Sequence, residues 1–219
     1  MIRAGELKLL EKKLLSQCPL PKNIVAEIES DMALSGSVWG DEGNNSRSAA
    51  VLIPLISRAH GITVLLTTRT VHLPSHAGQV AFPGGKVEEY DESFIHTALR
   101  ECEEEVGLNK SFVNILGVLD RYQTGTGFDV TPVVGLLGEG FELNIDREEV
   151  ADIFEVPLSY ILNKDNHDLK SVNYKGADRQ FYSINYEGRN IWGATAAILV
   201  NFCYVLMQYV NEEIEIRGK

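Results

Sequence analysis

The run Gly78–Leu108, GQVAFPGGKVEEYDESFIHTALRECEEEVGL, constrains this chain more than any other stretch. It reads as strand, glycine loop and helix in close succession. Gln79 to Phe82 is a short extended run, and Pro83-Gly84-Gly85 predicts a tight turn, because glycine alone takes positive φ without steric cost. Asp91 or Ser93 is placed to cap the helix that follows, and Gly107 to end it.

That helix has two faces. At about 100° per residue, Ile95, Ala98, Leu99, Cys102 and Val106 share one arc. Glu101, Glu104 and Glu105 share an arc expected to lie roughly opposite, and Glu103 falls to the side. Like charges at i,i+4 are destabilising by about a few tenths of a kcal/mol per pair. A hard divalent cation removes that repulsion, since Mg²⁺ takes oxygen ligands and keeps positions for water and phosphate. The competing reading is a solvated acidic face, which is what most charge runs are. The glycine loop, the Arg100-Glu101 pair and Gly107, all at fixed offsets, favour the metal.

Arg100 to Leu108, RECEEEVGL, resembles the second half of the Nudix box: Arg, Glu, apolar, any, Glu, Glu, any, Gly, apolar. The first half resembles the family's glycine-to-acid segment with one extra residue. Counted forward from Gly85 the acid is Asp91; counted back from Arg100 it is Glu92. Either can be the loop acid that pairs with Arg100, a structural role.

Upstream, Ala49 to Ser57 and Ile62 to Arg69 are apolar, β-branched runs joined at His60-Gly61, which predicts an antiparallel pair of core strands. Leu65, Leu66, Thr67, Arg69, Gly78 and Phe82 to Gly85 are similar to the signature of the coenzyme A pyrophosphatase branch. Thr70 stands for its serine, and Pro74 for its second arginine. His72 and His76 flank Pro74; each is either a loop hydrogen-bonder or a phosphate contact, and the run His76 to Gln79, typical of the branch, favours His76.

Downstream, Phe112 to Tyr122 and Phe128 to Leu137 read as strands turned at Gly125-Thr126-Gly127, and Lys170 to Tyr174 with Gln180 to Tyr186 as a final hairpin. The segment 147–158, REEVADIFEVPL, resembles a branch segment ending in a strand. Its Glu149 is either an exposed acid or a carboxylate brought to the site from outside the box. Residues 193–210 are nearly all apolar. Asn201 and Gln208 interrupt them, so a helix packed on the sheet is expected rather than a membrane span, which needs about 20 apolar residues.

Residues 1–34 have helical periodicity broken by Pro19 and Pro21, and Leu34 to Arg47 is a Gly/Ser/Asn-rich loop. The division expected is a helical extension and linker over 1–40 and a Nudix domain over 41–219. A net charge of -11 argues against sequence-independent nucleic-acid binding. Cys18, Cys102 and Cys203 show no paired spacing, and the N-terminus lacks the apolar core of a signal peptide, so a reducing, cytoplasmic setting is expected. The oligomeric state stays open, a homodimer included.

The resemblance implies an α/β Nudix fold, a mixed curved sheet sandwiched between helices. It implies metal-dependent hydrolysis of a pyrophosphate in a nucleoside diphosphate derivative: coenzyme A or its thioesters first, ADP-ribose or another such derivative second, with a non-hydrolysing nucleotide-binding domain as the third reading. Glu101, Glu104 and Glu105 would hold Mg²⁺ or Mn²⁺ with the Gly85 carbonyl, and Glu149 joins them as a candidate catalytic group. Arg69, His76 and Gly84 are the expected substrate contacts.

Overall fold

In the computed structural model of the chain, the residues described are Lys8, Leu10, Lys12, 47–72, 76–174 and 177–217, with side chains of the last helix described through Tyr209. The helical reading of 1–34, the loop up to Ser46, Cys18 and Pro74 lie outside the described residues, apart from those three. Leu10 is fully buried in the larger core cluster.

The centre is β1 (Arg47–Arg58), a twelve-residue strand. Its apolar residues alternate between two cores with the period of two that a pleated strand imposes. Ala49, Ile53 and Leu55 face one core, and Ala50, Leu52 and Ile56 the other. β2 (Gly61–Arg69) pairs antiparallel with its C-terminal end, from Leu55↔Val64 to Arg58↔Gly61. The parallel neighbour on the other side is β7 (Phe128–Leu137). The remaining strands of this mixed sheet are β3 (Val80–Ala81), β4 (Gly84–Lys86), β5 (Val113–Val118), β6 (Tyr122–Gln123) and β8 (Val150–Pro157).

Two helices cover opposite faces. α1 (Phe94–Val106) sends Ala98, Cys102 and Val106 into the core of Ala50 and Leu52. A short helix, α2 (Leu158–Ile161), follows β8. The long α3 (Gly193–Arg217) packs Ile198, Phe202 and Leu206 into the core of Ile53 and Leu55. This is the mixed sheet between helices that the sequence implied. No described helix is long and apolar enough to cross a membrane.

Three expectations are corrected. Gly84 and Gly85 do not form a turn. They lie in β4, paired with β1 as Val51↔Gly84 and Ala50↔Gly85. Their smallness serves close approach: a Cβ on Gly84 would stand 2.5 Å from the Ala50 carbonyl oxygen. The run 112–122 is not one strand, because a 3-10 turn (Lys110–Phe112), β5 and β6 divide it. The final hairpin, β9 (Asp168–Tyr174) and β10 (Ala177–Tyr186), gains a third strand, β11 (Arg189–Trp192).

The pairing pattern opens the site. β1 pairs with β2 only near Leu55–Arg58, and with β4 at Ala49–Val51. β8 pairs along the other edge of β2 from Thr63 to Arg69, and on the edge that β1 leaves beyond Val64, β3 pairs at Thr67 and Thr68. The sheet therefore splits between β2 and β4, and residues from both sides of the split face one cavity.

Candidate active site

The cavity has a volume of about 620 Å³. Its charged lining comes from Arg69 at the end of β2, Lys86 on β4, Glu101 and Glu105 on α1, and Glu149 just before β8. His76, Gly84 and Gly85 line it too. The fold thus collects residues spread over eighty positions of sequence on one wall.

α1 delivers its carboxylates accurately because both ends are fixed. Ser93 is the cap, its Oγ accepting the His96 N–H at 3.1 Å, and Gly107 ends the helix at φ 70. Asp91 does something else. Its Oδ1 accepts from Arg100 Nε at 3.0 Å and its Oδ2 from Arg100 Nη2 at 2.9 Å. Oδ2 also accepts from the Glu88 N–H and the Thr97 hydroxyl. Arg100, chiefly, holds this carboxyl well below the usual range. Glu92 is exposed, so of the two candidate acids Asp91 is the partner of Arg100.

Glu105 is the least accessible of the acids, at 4% exposure. The outward arc expected for it is corrected: at about 100° per residue Glu105 falls about 20° from Ala98, at the edge of the core face, and β4 and β2 close over it. It accepts the Gly84 N–H at 3.1 Å and faces Arg69 Nη1 at 3.4 Å. Burial pushes its pKa up to about 7, opposed by the Gly84 N–H and by Arg69 and reinforced by the charges of Glu149 and Glu101. Glu101 is half-buried and shifted upward as well, mainly by desolvation. Glu149, though exposed, is close enough to raise both. Arg69 Nε is buried with no hydrogen-bond partner among the described residues.

Glu104 behaves differently. It is 58% exposed, does not line the cavity, and bonds Arg100 Nη1 at 3.1 Å. The same nitrogen bonds Glu101 Oε1 at 2.8 Å. Among the described residues no three His, Cys, Asp or Glu side chains converge closely enough to hold a metal ion as they stand. The donor set nevertheless suits a hard cation: every candidate ligand is an oxygen. Gly85 supports this, since any Cβ there would collide with the Glu101 carboxylate, so only glycine lets the backbone lie against that acid.

His76 sits at the lip with φ 58, and its Nδ1 is 2.9 Å from Gln79 Oε1. The sequence reading missed the aromatic part of the lining: Tyr122, Phe128, Phe181 and Trp192. Trp192 stood in a run, Ile191 to Ala196, that resembles the coenzyme A branch, but no role was drawn from it; Tyr122, Phe128 and Phe181 had only the signal of aromatic residues near strand ends, which is too common to single out.

The profile of the NUDIX domain matches residues 46–176 of this chain. A Yersinia enterocolitica protein named "Uncharacterized Nudix hydrolase NudL" is 46% identical over 175 residues, 80% of this chain and 89% of that protein. A protein of the same name from Yersinia pestis is 46% identical over 154 residues, 70% of this chain and 77% of its own. Among solved structures, a MutT/nudix family protein from Enterococcus faecalis aligns over 94% of this chain and 75% of its own, with a TM-score of 0.48 and 16% identity.

Proposed function

This chain belongs to the Nudix hydrolase family, and from that premise we propose that it cleaves the pyrophosphate of coenzyme A or an acyl-coenzyme A. The products would be phosphopantetheine, or its acyl form, and adenosine 3′,5′-bisphosphate. The coarser statement, a hydrolase acting on a nucleoside diphosphate derivative, follows from the family itself. One observation carries the site assignment: Glu101, Glu105, Glu149 and Arg69 share one wall of the cavity.

The cofactor we assign is Mg²⁺ or Mn²⁺. Glu101, Glu104, Glu105 and the Gly85 carbonyl would hold it; when bound, it supplies neutralising charge for the phosphoryl oxygens and lowers the pKa of a water. Glu104 is bonded to Arg100 in this structure and would have to exchange that partner to join the set. Arg69 is the guanidinium for the substrate phosphates, and a fork of N–H donors suits phosphate geometry. Glu149 is placed to accept a proton at the edge of the acidic cluster. His76 contacts substrate through the ring nitrogen that Gln79 does not engage, and Gly84 presents backbone where a side chain would obstruct. Arg100 and Asp91 do structural work, fixing the loop to the helix that carries the acids.

ADP-ribose or another nucleoside diphosphate derivative is the second reading. Pro74 favours it, because the coenzyme A branch has an arginine there. The deciding test is phosphate-bond cleavage in the presence of Mg²⁺ or Mn²⁺, across coenzyme A, acyl-coenzyme A, ADP-ribose, NADH and dinucleoside polyphosphates. Preferential turnover of coenzyme A or its thioesters is the expected result. Preference for ADP-ribose would replace the first reading with the second, and binding without turnover would sink both.

A further inference from the structure

We propose that Trp192, braced by Phe181, is the platform on which the substrate's nucleobase stacks; this rests on reading the cavity as a nucleotide site. The charges of the cavity lining come from some elements and not from others. Arg69, Lys86, Glu101, Glu105 and Glu149 come from β2, β4, α1 and the approach to β8, and β10, β11 and α3 contribute no charged residue to the lining. The diphosphate belongs with the charges. The uncharged organic part is left to the wall that carries Phe181 and Trp192.

That wall is built for a flat ring. Trp192 is the last residue of β11 and is 41% exposed, whereas its neighbour Ile191 is fully buried. Ser183 pairs with Trp192, so Phe181, two residues earlier on β10, is its diagonal neighbour on the same face. The two rings meet edge to face, with centroids 5.9 Å apart and planes at 66°. Such a contact restrains the indole's tilt while Trp192 stays 41% exposed. Gly193, which also lines the cavity, follows with φ 62, and no atom of the described residues beyond its chain neighbours stands within 4 Å of where its Cβ would be. The nearby Thr195 hydroxyl is already committed to the Val80 carbonyl at 3.0 Å, so this end offers no hydroxyl to a phosphate. A planar base gains stacking energy on an indole; a flexible pantetheine arm does not.

The test uses the full chain. It has two tryptophans, Trp39 and Trp192, so Trp39→Phe leaves Trp192 as the single indole fluorophore. With chelator present to prevent turnover, adenosine 5′-monophosphate is expected to quench Trp192, and ribose 5-phosphate and phosphopantetheine are not. In steady-state assays on the substrate that is cleaved, Trp192→Ala should raise KM roughly tenfold with kcat nearly unchanged, and Trp192→Phe should restore most of the loss. No quench by the mononucleotide up to its solubility limit, equal quench by phosphopantetheine or ribose 5-phosphate, or an unchanged KM in Trp192→Ala would each overturn the assignment. Quenching needs no catalysis. Failure of every candidate pyrophosphate to be hydrolysed would therefore refute the substrate reading while leaving the platform to be judged by fluorescence.

Discussion

Arg100 and Asp91 meet as a fork on a carboxylate, Nε to Oδ1 at 3.0 Å and Nη2 to Oδ2 at 2.9 Å, with no part of the Asp91 side chain open to solvent. The pair closes the loop between β4 and α1. Arg100 Nη2 also donates to the Lys86 carbonyl at 3.1 Å, so β4 and the helix are tied through one guanidinium. The remaining nitrogen of that group touches Glu101 and Glu104, and a change at Asp91 is therefore felt by the acids.

Asp91→Asn should lower stability by about 3 kcal/mol, the lower end of the cost of breaking a buried ion pair, because Arg100 keeps its charge and loses the bidentate one of its three carboxylate partners among the described residues. Glu92→Gln should change it by less than about 0.5 kcal/mol, as exposed substitutions do. The sign with pH follows from the lowered Asp91 pKa. The stabilisation is fully present above the ordinary value of 3.8 and is lost as pH falls through the folded value. Urea melts of the three proteins at pH 7 and at progressively lower pH measure this. Equal stabilities for Asp91→Asn and Glu92→Gln at neutral pH would contradict the assignment of the pair.

Gly84 and Gly85 should respond to alanine in different ways. At Gly84 the new methyl group meets the Ala50 carbonyl and Val51 at φ +154, all of it backbone or packed side chain. A loss of about 3 kcal/mol is expected from overpacking and strain together. At Gly85 the obstacle is the end of the Glu101 side chain, which can rotate away. Gly85→Ala should therefore fold nearly as well as the native chain and lose most of its turnover. Thermal melts beside metal-dependent assays check this; a Gly85→Ala enzyme with native kcat would show that Glu101 need not stand where it does.

Glu105→Gln should lower kcat by orders of magnitude without lowering the melting temperature. It removes a ligand charge but keeps the volume and the acceptor for the Gly84 N–H. Glu103→Gln should leave both quantities almost unchanged, because that side chain is exposed and off the cavity. Matching impairment of the two variants would undo the argument that position on the helix decides function.

Much of this was legible in the sequence because it is local. The caps of α1, its apolar stripe, the β1–β2 hairpin and the helix after Trp192 depend on residues near one another, and each formed where the periodicity put it. What escaped depends on partners distant in sequence. Gly84-Gly85 read as a turn because nothing nearby reveals that β1, some 34 positions upstream, pairs with them. Glu105 read as outward with the other acids, although the helical period sets it about 20° from Ala98 at the edge of the core face; what sequence could not supply is the covering from Arg69 and Gly84. Phe181 and Trp192, about 80 residues from the acids, are set side by side by the register of β10 and β11 and line the same cavity.

Substrate choice turns on Pro74. The coenzyme A branch has an arginine at this place, and Pro74 stands two residues before His76, which lines the cavity. One charge-assisted contact is worth about 1.5–3 kcal/mol, roughly ten- to a hundredfold in affinity. If that arginine meets a phosphate of coenzyme A in the relatives, the native chain should cleave coenzyme A with a high KM. Pro74→Arg should then lower that KM by roughly tenfold or more, with little change in kcat, because a contact made equally in ground and transition states moves binding alone. Steady-state kinetics of both proteins on coenzyme A, dephospho-coenzyme A and ADP-ribose measure this, and the comparison with dephospho-coenzyme A isolates the 3′-phosphate. A gain confined to coenzyme A assigns the lost contact to that phosphate, and a gain shared with dephospho-coenzyme A assigns it to the diphosphate. Faster cleavage of ADP-ribose by the native chain, with no gain on coenzyme A in the variant, would move the assignment to the second reading.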